Sequence, residues 1–242
     1  MKIVAIIQAR LGSTRLPGKV LSPLAGEPMI ARVVERVRRA RQIDEVVVAT
    51  TTNCTDDRLS ALCAARRWPC FRGSETDVLD RYVQAARVYA AEAVVRITSD
   101  CPLIDPGVVD DVVSAFLAQQ PEVEYLSNIL STRTFPRGLD AEVIRRDVLE
   151  ICHAEATDSA SREHVTPFLY QHPERFHLAC VIAPGDYSQY RWTIDTPEDL
   201  ALIEKIYDHF GNGEFSWQEA LTLMDTHPEW QEINSNIQQK AL

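Results

Sequence analysis

The chain has 242 residues, 45% of them hydrophobic, and a formal net charge of -10. That length supports one sizeable core more readily than two fused small ones. The acidic balance argues against broad binding to a nucleic-acid backbone, which needs an extended positive field, so an anionic ligand would require a local basic pocket. No apolar run reaches the roughly 20 residues needed to cross a bilayer, and residues 3–7 lack a signal-peptide cleavage pattern. The expectation is therefore a cytoplasmic protein with neither membrane nor nucleic-acid partners.

Taken in chain order, residues 2–9 form a short β-branched apolar run that passes into Gly12, Pro17 and Gly18, which predicts a buried strand ending in a structured loop. A helix follows. Pro28 suits its first turn, Ile30, Val33, Val34 and Val37 recur at helical spacing, and Arg32, Glu35, Arg36, Arg38 and Arg39 take the other face. Strands are expected over 45–51 and 93–98, with helices over 56–67 and 78–91 and a brief extended piece at 69–71. Beyond Pro106 come a helix to about residue 119, extended pieces at 124–128 and 139–144, and helices over 147–156, 161–171 and 197–210. Strands are also expected over 177–183 and 190–195, with an amphipathic helix and an irregular end after Trp217. Apolar runs alternating with helices imply a parallel α/β sheet, because parallel neighbours need crossover connections. The looser second half leaves room for antiparallel strands. Cys54, Cys63, Cys70, Cys101, Cys152 and Cys180 form no CxxC pair and no zinc spacing with histidines, so they read as free thiols.

The decapeptide RLGSTRLPGK over 10–19 carries the chemistry. It holds Arg10, Arg15 and Lys19, two glycines and two hydroxyls just past the first strand, where open α/β sheets bind ligands. Glycines let backbone N–H groups approach phosphate oxygens, and the three cations can neutralise a triphosphate. It is not a Walker A loop: five residues separate Gly12 from Gly18, and Val20 follows Lys19 where a hydroxyl would be needed. A solvated basic turn is the competing reading of such a loop. Asp100 stands just past an expected strand and Asp195 ends one, and two such carboxylates can hold Mg²⁺ together with water and phosphate oxygens. A helix cap for Asp195 and an Asx-turn for Asp100 are the plainer alternatives. Asp105 and Asp199 read as helix-start residues outside the site.

The decapeptide, with the segments RGSETDVLDRY (72–82), RITSDCPLID (96–105) and WTIDTPEDL (192–200), closely resembles the sugar-activating cytidylyltransferases. These include the CMP-sialic acid and CMP-3-deoxy-manno-octulosonate synthetases, and in particular the branch called spore coat polysaccharide biosynthesis protein F. The likeness runs from Met1 to about Tyr207. It implies a Rossmann-like three-layer α/β/α nucleotidyltransferase fold of the nucleotide-diphospho-sugar transferase type, with a mostly parallel sheet and, usually, a homodimer. It further implies one domain over 1–242: a nucleotide-binding half (1–105), a half for the acceptor and the dimer contact (106–210), and a C-terminal helix and tail (211–242).

By the same resemblance, CTP and Mg²⁺ bind at the carboxyl edge of the sheet, with Asp100 and Asp195 as metal ligands and Arg10, Arg15, Lys19 and Asp100 as catalytic groups. Ala9, Arg10, Leu11, Gly12, Ser13, Lys19, Arg72, Ser74, Asp80, Arg81 and Asp100 are the candidate nucleotide contacts. Within 72–82 the sequence departs from the Gly-Thr-Glu-Arg form of the octulosonate enzymes, and surface charges on a capped helix are the alternative there. Arg137, Asp140, Glu142 and His164 are candidates for an acidic-sugar acceptor, against the plainer readings of a structural histidine and solvated charges. The implied reaction is attack by an acceptor oxygen on the α-phosphorus of CTP, giving a CMP conjugate of an ulosonic or nonulosonic acid and pyrophosphate. A nucleotide-sugar glycosyltransferase of related fold and a non-catalytic nucleotide-binding scaffold are the rival functions.

Overall fold

The computed structural model describes residues 1–13, 15–130 and 132–238. Its elements are, in order, β1 (Ile3–Gln8), β2 (Pro23–Leu24), β3 (Glu27–Pro28), α1 (Met29–Val37), β4 (Glu45–Thr51), α2 (Asp57–Arg66), β5 (Cys70–Gly73), α3 (Val78–Val88), β6 (Ala93–Thr98) and α4 (Pro106–Ala118). There follow β7 (Tyr125–Ser127), β8 (Glu142–Arg145), α5 (Arg146–Glu155), α6 (Ser159–His164), α7 (Pro167–Gln171), β9 (Leu178–Cys180), α8 (Pro197–Phe210), α9 (Trp217–Thr226) and a 3₁₀ turn over Pro228–Ile233. One sheet runs through both halves in the order β5-β4-β1-β6-β8-β7-β9. Among the described residues only β8 opposes its neighbours β6 and β7; every other pairing in this sheet is parallel.

Both faces of the sheet are covered, which is why its strands are apolar without interruption. Ile3, Ala5 and Ile7 pack with side chains of α1, α4, α8 and α9 on one face, while Val4 and Ile6 pack with those of α3, α5 and α7 on the other. Burying each such aliphatic side chain contributes about 1.5–3 kcal/mol. The result is the three-layer α/β/α arrangement that the family resemblance implied.

Two features of the topology make the cleft. The chain leaves β1 for β4 on one side and returns to β6 on the other, so the carboxyl ends of β1 and β6 lie side by side, with Gln8 opposite Thr98. That reversal is where open α/β sheets place ligands. Because β8 runs backwards, its first residue, Glu142, pairs with Arg96 near the same edge, and the polar stretch before it arrives there too.

Three expectations need correction. Residues 190–195 form no strand; the segment is extended but makes a single parallel bridge, Arg137 to Arg191, with Arg137 N–H donating to Tyr190 O (3.0 Å) and Trp192 N–H to Arg137 O (2.7 Å). It runs beside an irregular loop, not beside a strand. The helix expected over 161–171 is two, α6 and α7, broken at Val165 (φ 75°) and restarted by Pro167, which has no N–H to continue a helix. Arg32 and Arg36 are buried, not solvent-facing: the chain before α9 covers that side of α1, and Arg36 donates to the carbonyls of Ile104 (2.7 Å) and Gly213 (2.7 Å). All six cysteines are free thiols.

Candidate active site

The loop after β1 is held from below. The buried Asp56 accepts from Leu11 N–H (2.7 Å) and from the Thr51 hydroxyl, while Leu11 O accepts from Ser13 N–H (2.9 Å) and Gly18 N–H (3.2 Å). Gly18 adopts φ 72°, a left-handed conformation that glycine enters without penalty, and this turns the chain so that Lys19 points back toward the sheet. Ala9, Arg10, Gly12, Ser13, Arg15 and Lys19 all line one chamber of about 540 Å³, joined there by Arg81, Ser99, Asp100 and Asp195. Leu11 packs into the core behind it. Thr14 lies outside the described residues.

Asp100 and Asp195, 95 positions apart, meet at one cation. Lys19 Nζ stands 2.8 Å from Asp195 Oδ1, 3.3 Å from Asp100 Oδ2 and 2.6 Å from Ile194 O. The backbone enforces this convergence, because Asp100 O accepts from Ile194 N–H (2.8 Å) and from the Thr193 hydroxyl (3.1 Å). Asp195 also receives Arg15 (3.0 Å) and Arg191 (3.1 Å). Burial works to lower the Lys19 pKa, but Asp100 and Asp195 outweigh it and hold the ammonium above its ordinary 10.5. Burial likewise works to raise Asp195, and Lys19, Arg15 and Arg191 overcome it, keeping the carboxyl below 3.8. The cap of α8 is Thr196, with Asp199 completing a capping box, so Asp195 is left to face the cleft.

Among the described residues no group of three or more His, Cys, Asp or Glu stands ready to hold a metal ion. Two carboxylates converging on one positive centre nevertheless fit a hard divalent cation such as Mg²⁺, which commonly takes one or two protein carboxylates and completes its shell with water and substrate phosphates. In this structure the Lys19 ammonium occupies the point of convergence.

A second chamber, of about 690 Å³, adjoins the first and shares Gln8, Arg15, Thr98, Asp100, His164 and Asp195 with it. Arg137, Asp140, Glu142 and His164 all line it. Asp140 is gripped by both ends of Arg133 (2.5 and 2.9 Å), and the buried Glu142 accepts from Arg96 and from the Tyr125 hydroxyl (2.7 Å). Burial alone would lower the Arg96 pKa, but Glu142 raises it above its normal value, so the guanidinium stays charged. Arg137 makes no ion pair with a carboxylate among the described residues; burial and then the neighbouring Arg133 hold its pKa down. Gly138 (φ 107°) lets this loop press against the 190–195 segment, since a Cβ there would sit 2.6 Å from the Trp192 carbonyl.

The other nucleotide candidates lie elsewhere. Arg72 pairs with Asp57 (2.8 Å) and donates to Thr51 O (2.9 Å), Ser74 accepts from Asp77 N–H (3.0 Å), and Asp80 meets His153 (3.0 Å); none of the three lines either chamber. Several cleft residues were not anticipated. Gln8, whose buried Oε1 has no hydrogen-bond partner, sits at the junction of the chambers, and Arg133, Tyr125 and Arg191 shape the second chamber and the aspartate network. Position at the carboxyl end of a strand was a signal for Gln8; the others have no local signature.

A family model described as cytidylyltransferase matches residues 4–224. The chain is 36% identical over 235 residues to the spore coat polysaccharide biosynthesis protein SpsF of Bacillus subtilis, covering 94% of this chain and 95% of that one. It is 38% identical over 148 residues to the 3-deoxy-manno-octulosonate cytidylyltransferase of Geobacter sulfurreducens, covering 60% and 57%. It superposes on a cytidylyltransferase from Leptospira borgpetersenii serovar Hardjo-bovis with a TM-score of 0.92, 34% identity and full coverage of both chains. The fold is also that of CMP:2-keto-3-deoxy-manno-octonic acid synthetase complexed with CTP (TM-score 0.66, 21% identity, 86% and 99% covered). With a loop of cations, two convergent aspartates and this span of likeness, the chain belongs to the cytidylyltransferase family and is a nucleotidyltransferase.

Proposed function

We propose that the enzyme transfers CMP from CTP to an acidic sugar, of the nonulosonic or another ulosonic class, with Mg²⁺ and release of pyrophosphate, for surface polysaccharide synthesis. One observation carries this reading: Asp100 and Asp195 converge on Lys19 at the junction of two chambers, one rimmed by Arg10 and Arg15, the other holding Arg137. A triphosphate entering the first chamber offers Lys19 and Arg15 stronger partners than the aspartates they now hold. The two cations then stabilise charge on the departing pyrophosphate, and Asp100 and Asp195 are released to bind metal. Bound Mg²⁺ supplies charge neutralisation at the α-phosphate and lowers the pKa of a coordinated oxygen.

Arg137, half-buried and paired with no carboxylate among the described residues, suits the acceptor's carboxylate, and the Arg133–Asp140 and Arg96–Glu142 pairs offer fixed donors and acceptors to sugar hydroxyls. Alignment of the acceptor oxygen with the α-phosphorus does most of the work in such a transfer. Arg81, which lines the nucleotide chamber, is the best-placed group of its segment for the base or ribose. A homodimer in the cytoplasm belongs to the same reading and rests on family likeness; no described helix is long and apolar enough to cross a membrane.

The test is pyrophosphate release from CTP, Mg²⁺ and a panel of sialic, legionaminic and octulosonic acids. The reading expects turnover with at least one acid, a CMP conjugate by mass, and loss of both in Asp100→Ala. Turnover with UTP or ATP in preference to CTP, or an unimpaired Asp100→Ala, refutes it.

A further inference from the structure

The aspartate that faces Lys19 is anchored from a part of the chain remote from the cleft. Asn234, just past the 3₁₀ turn Pro228–Ile233 and only 5% exposed, donates its side-chain amide to Arg191 O (2.9 Å) and to Asp199 Oδ1 (2.9 Å). Asp199 is fully buried and accepts from Arg191 Nε (2.8 Å) and Nη2 (3.0 Å), from Asp195 N–H (3.0 Å) and from Thr196 N–H (3.1 Å). Arg191 Nη2 in turn donates to Asp195 Oδ2 (3.1 Å). The chain of contacts therefore runs from Asn234 through Asp199 and Arg191 to Asp195; it holds Oδ2, which Arg15 also meets from the cleft (3.0 Å), while Oδ1 meets Lys19 (2.8 Å).

We infer that Asn234, Asp199 and Arg191 are positioning residues for the transfer reaction, and that the C-terminal segment beyond α9 completes the active site by locking the orientation of the Asp195 carboxylate. Two further observations support an active role for the tail. The family model ends at residue 224, but the likeness to the Leptospira cytidylyltransferase covers the whole of both chains, so Asn234 lies outside the family model in a stretch shared with that full-length relative. The tail is also latched at a second point on the same segment, where Gln231 donates to the Tyr190 hydroxyl (3.1 Å). A ligand carboxylate must hold its orientation within a narrow range to bind metal well, and losing a group that orients it typically costs about 10–100-fold in metal affinity or activity.

This inference rests on Asp195 acting as a metal ligand, so the experiment tests both separately. Asn234→Ala and the near-isosteric Asn234→Asp are made in the full chain beside Asp195→Ala. Mn²⁺ binding is followed by the electron paramagnetic resonance of the free ion with a non-hydrolysable CTP analogue present, alongside kcat and KM for CTP. Asn234→Ala is expected to weaken Mn²⁺ binding and lower kcat by about tenfold, with KM for CTP changed less than twofold. Asn234→Asp keeps the packing but sets a second carboxylate against Asp199, so it should be at least as impaired. A merely structural tail would leave both Mn²⁺ affinity and kcat of Asn234→Asp at wild-type values, and that result overturns the inference while Asp195→Ala remains inactive. If Asp195→Ala itself keeps Mn²⁺ binding and turnover, the metal reading of the site fails, and the inference fails with it.

Discussion

Replacing Lys19 with methionine removes one charge at nearly constant volume and tests the electrostatics of the site directly. The Lys19 side chain is 10% exposed and its ammonium lies 2.8 Å from an Asp195 that is 9% exposed. Breaking a buried pair from one side typically costs about 3–5 kcal/mol. Arg15 and Arg191 still hold Asp195 at 3.0 and 3.1 Å, which moderates the loss to about 2–3 kcal/mol. For a chain of this size that corresponds to a melting temperature lower by about 4–12 °C. The deficit has a defined pH window. Lys19 is raised above 10.5, so its contribution is present below that value and fades as pH rises through the folded pKa; Asp195 is lowered below 3.8, so its contribution is present above that value and fades in acid. Turnover of CTP should fall by about 10²–10³, the usual effect of removing one preorganised charge contact. Differential scanning fluorimetry and a pyrophosphate-release assay read the two effects. Millimolar Mg²⁺ without nucleotide should raise the melting temperature of Lys19→Met more than that of the wild type, because the point between the aspartates is then open. A variant with wild-type melting temperature at pH 7 and turnover within about threefold of wild type would refute the electrostatic reasoning.

Three more outcomes are expected. Gly138→Ala should destabilise the chain by about 3 kcal/mol or more, since the new Cβ meets Trp192 backbone at 2.6 Å from a left-handed φ of 107°, and thermal melting will measure it. Asp199→Asn should lower the melting temperature by about 6–12 °C at pH 7. Burial opposes ionisation of Asp199, but Arg191 and Asn234 prevail and hold its pKa below 3.8, so the gap to wild type should close as pH falls below that value in a pH-melting series. Arg81→Ala should raise KM for CTP about tenfold or more, whereas Arg72→Ala and Asp80→Ala, whose side chains lie outside both chambers, should leave it within about twofold; steady-state kinetics distinguishes them.

What the sequence made legible follows the range of the forces involved. Strands β1, β4 and β6 were readable because a strand buried on both faces is apolar without interruption, and α8 because Thr196, Pro197 and Asp199 announce a helix start locally. Asp100 and Asp195 were legible as residues past extended runs, yet the run before Asp195 proved to be a segment stitched to Asp100 and Arg137 by two hydrogen bonds each. Arg36 could not be assigned to the interior from its neighbours, because the carbonyls that satisfy it come from positions 104 and 213. The tail was the largest omission. Its role depends on one amide, Asn234, meeting Arg191 across 43 positions, and no local pattern encodes that contact.

The central claim is that Asp100 and Asp195 take up one nucleotide-bound metal ion when Lys19 and Arg15 turn to the phosphates. A crystal structure with CTP and Mn²⁺, phased at the manganese edge, measures this directly. The account expects one anomalous peak within about 2.2 Å of an oxygen from each aspartate, with Lys19 Nζ shifted onto a phosphate. A metal bound away from either carboxylate, with the Lys19 to Asp195 pair still closed at 2.8 Å, would contradict it.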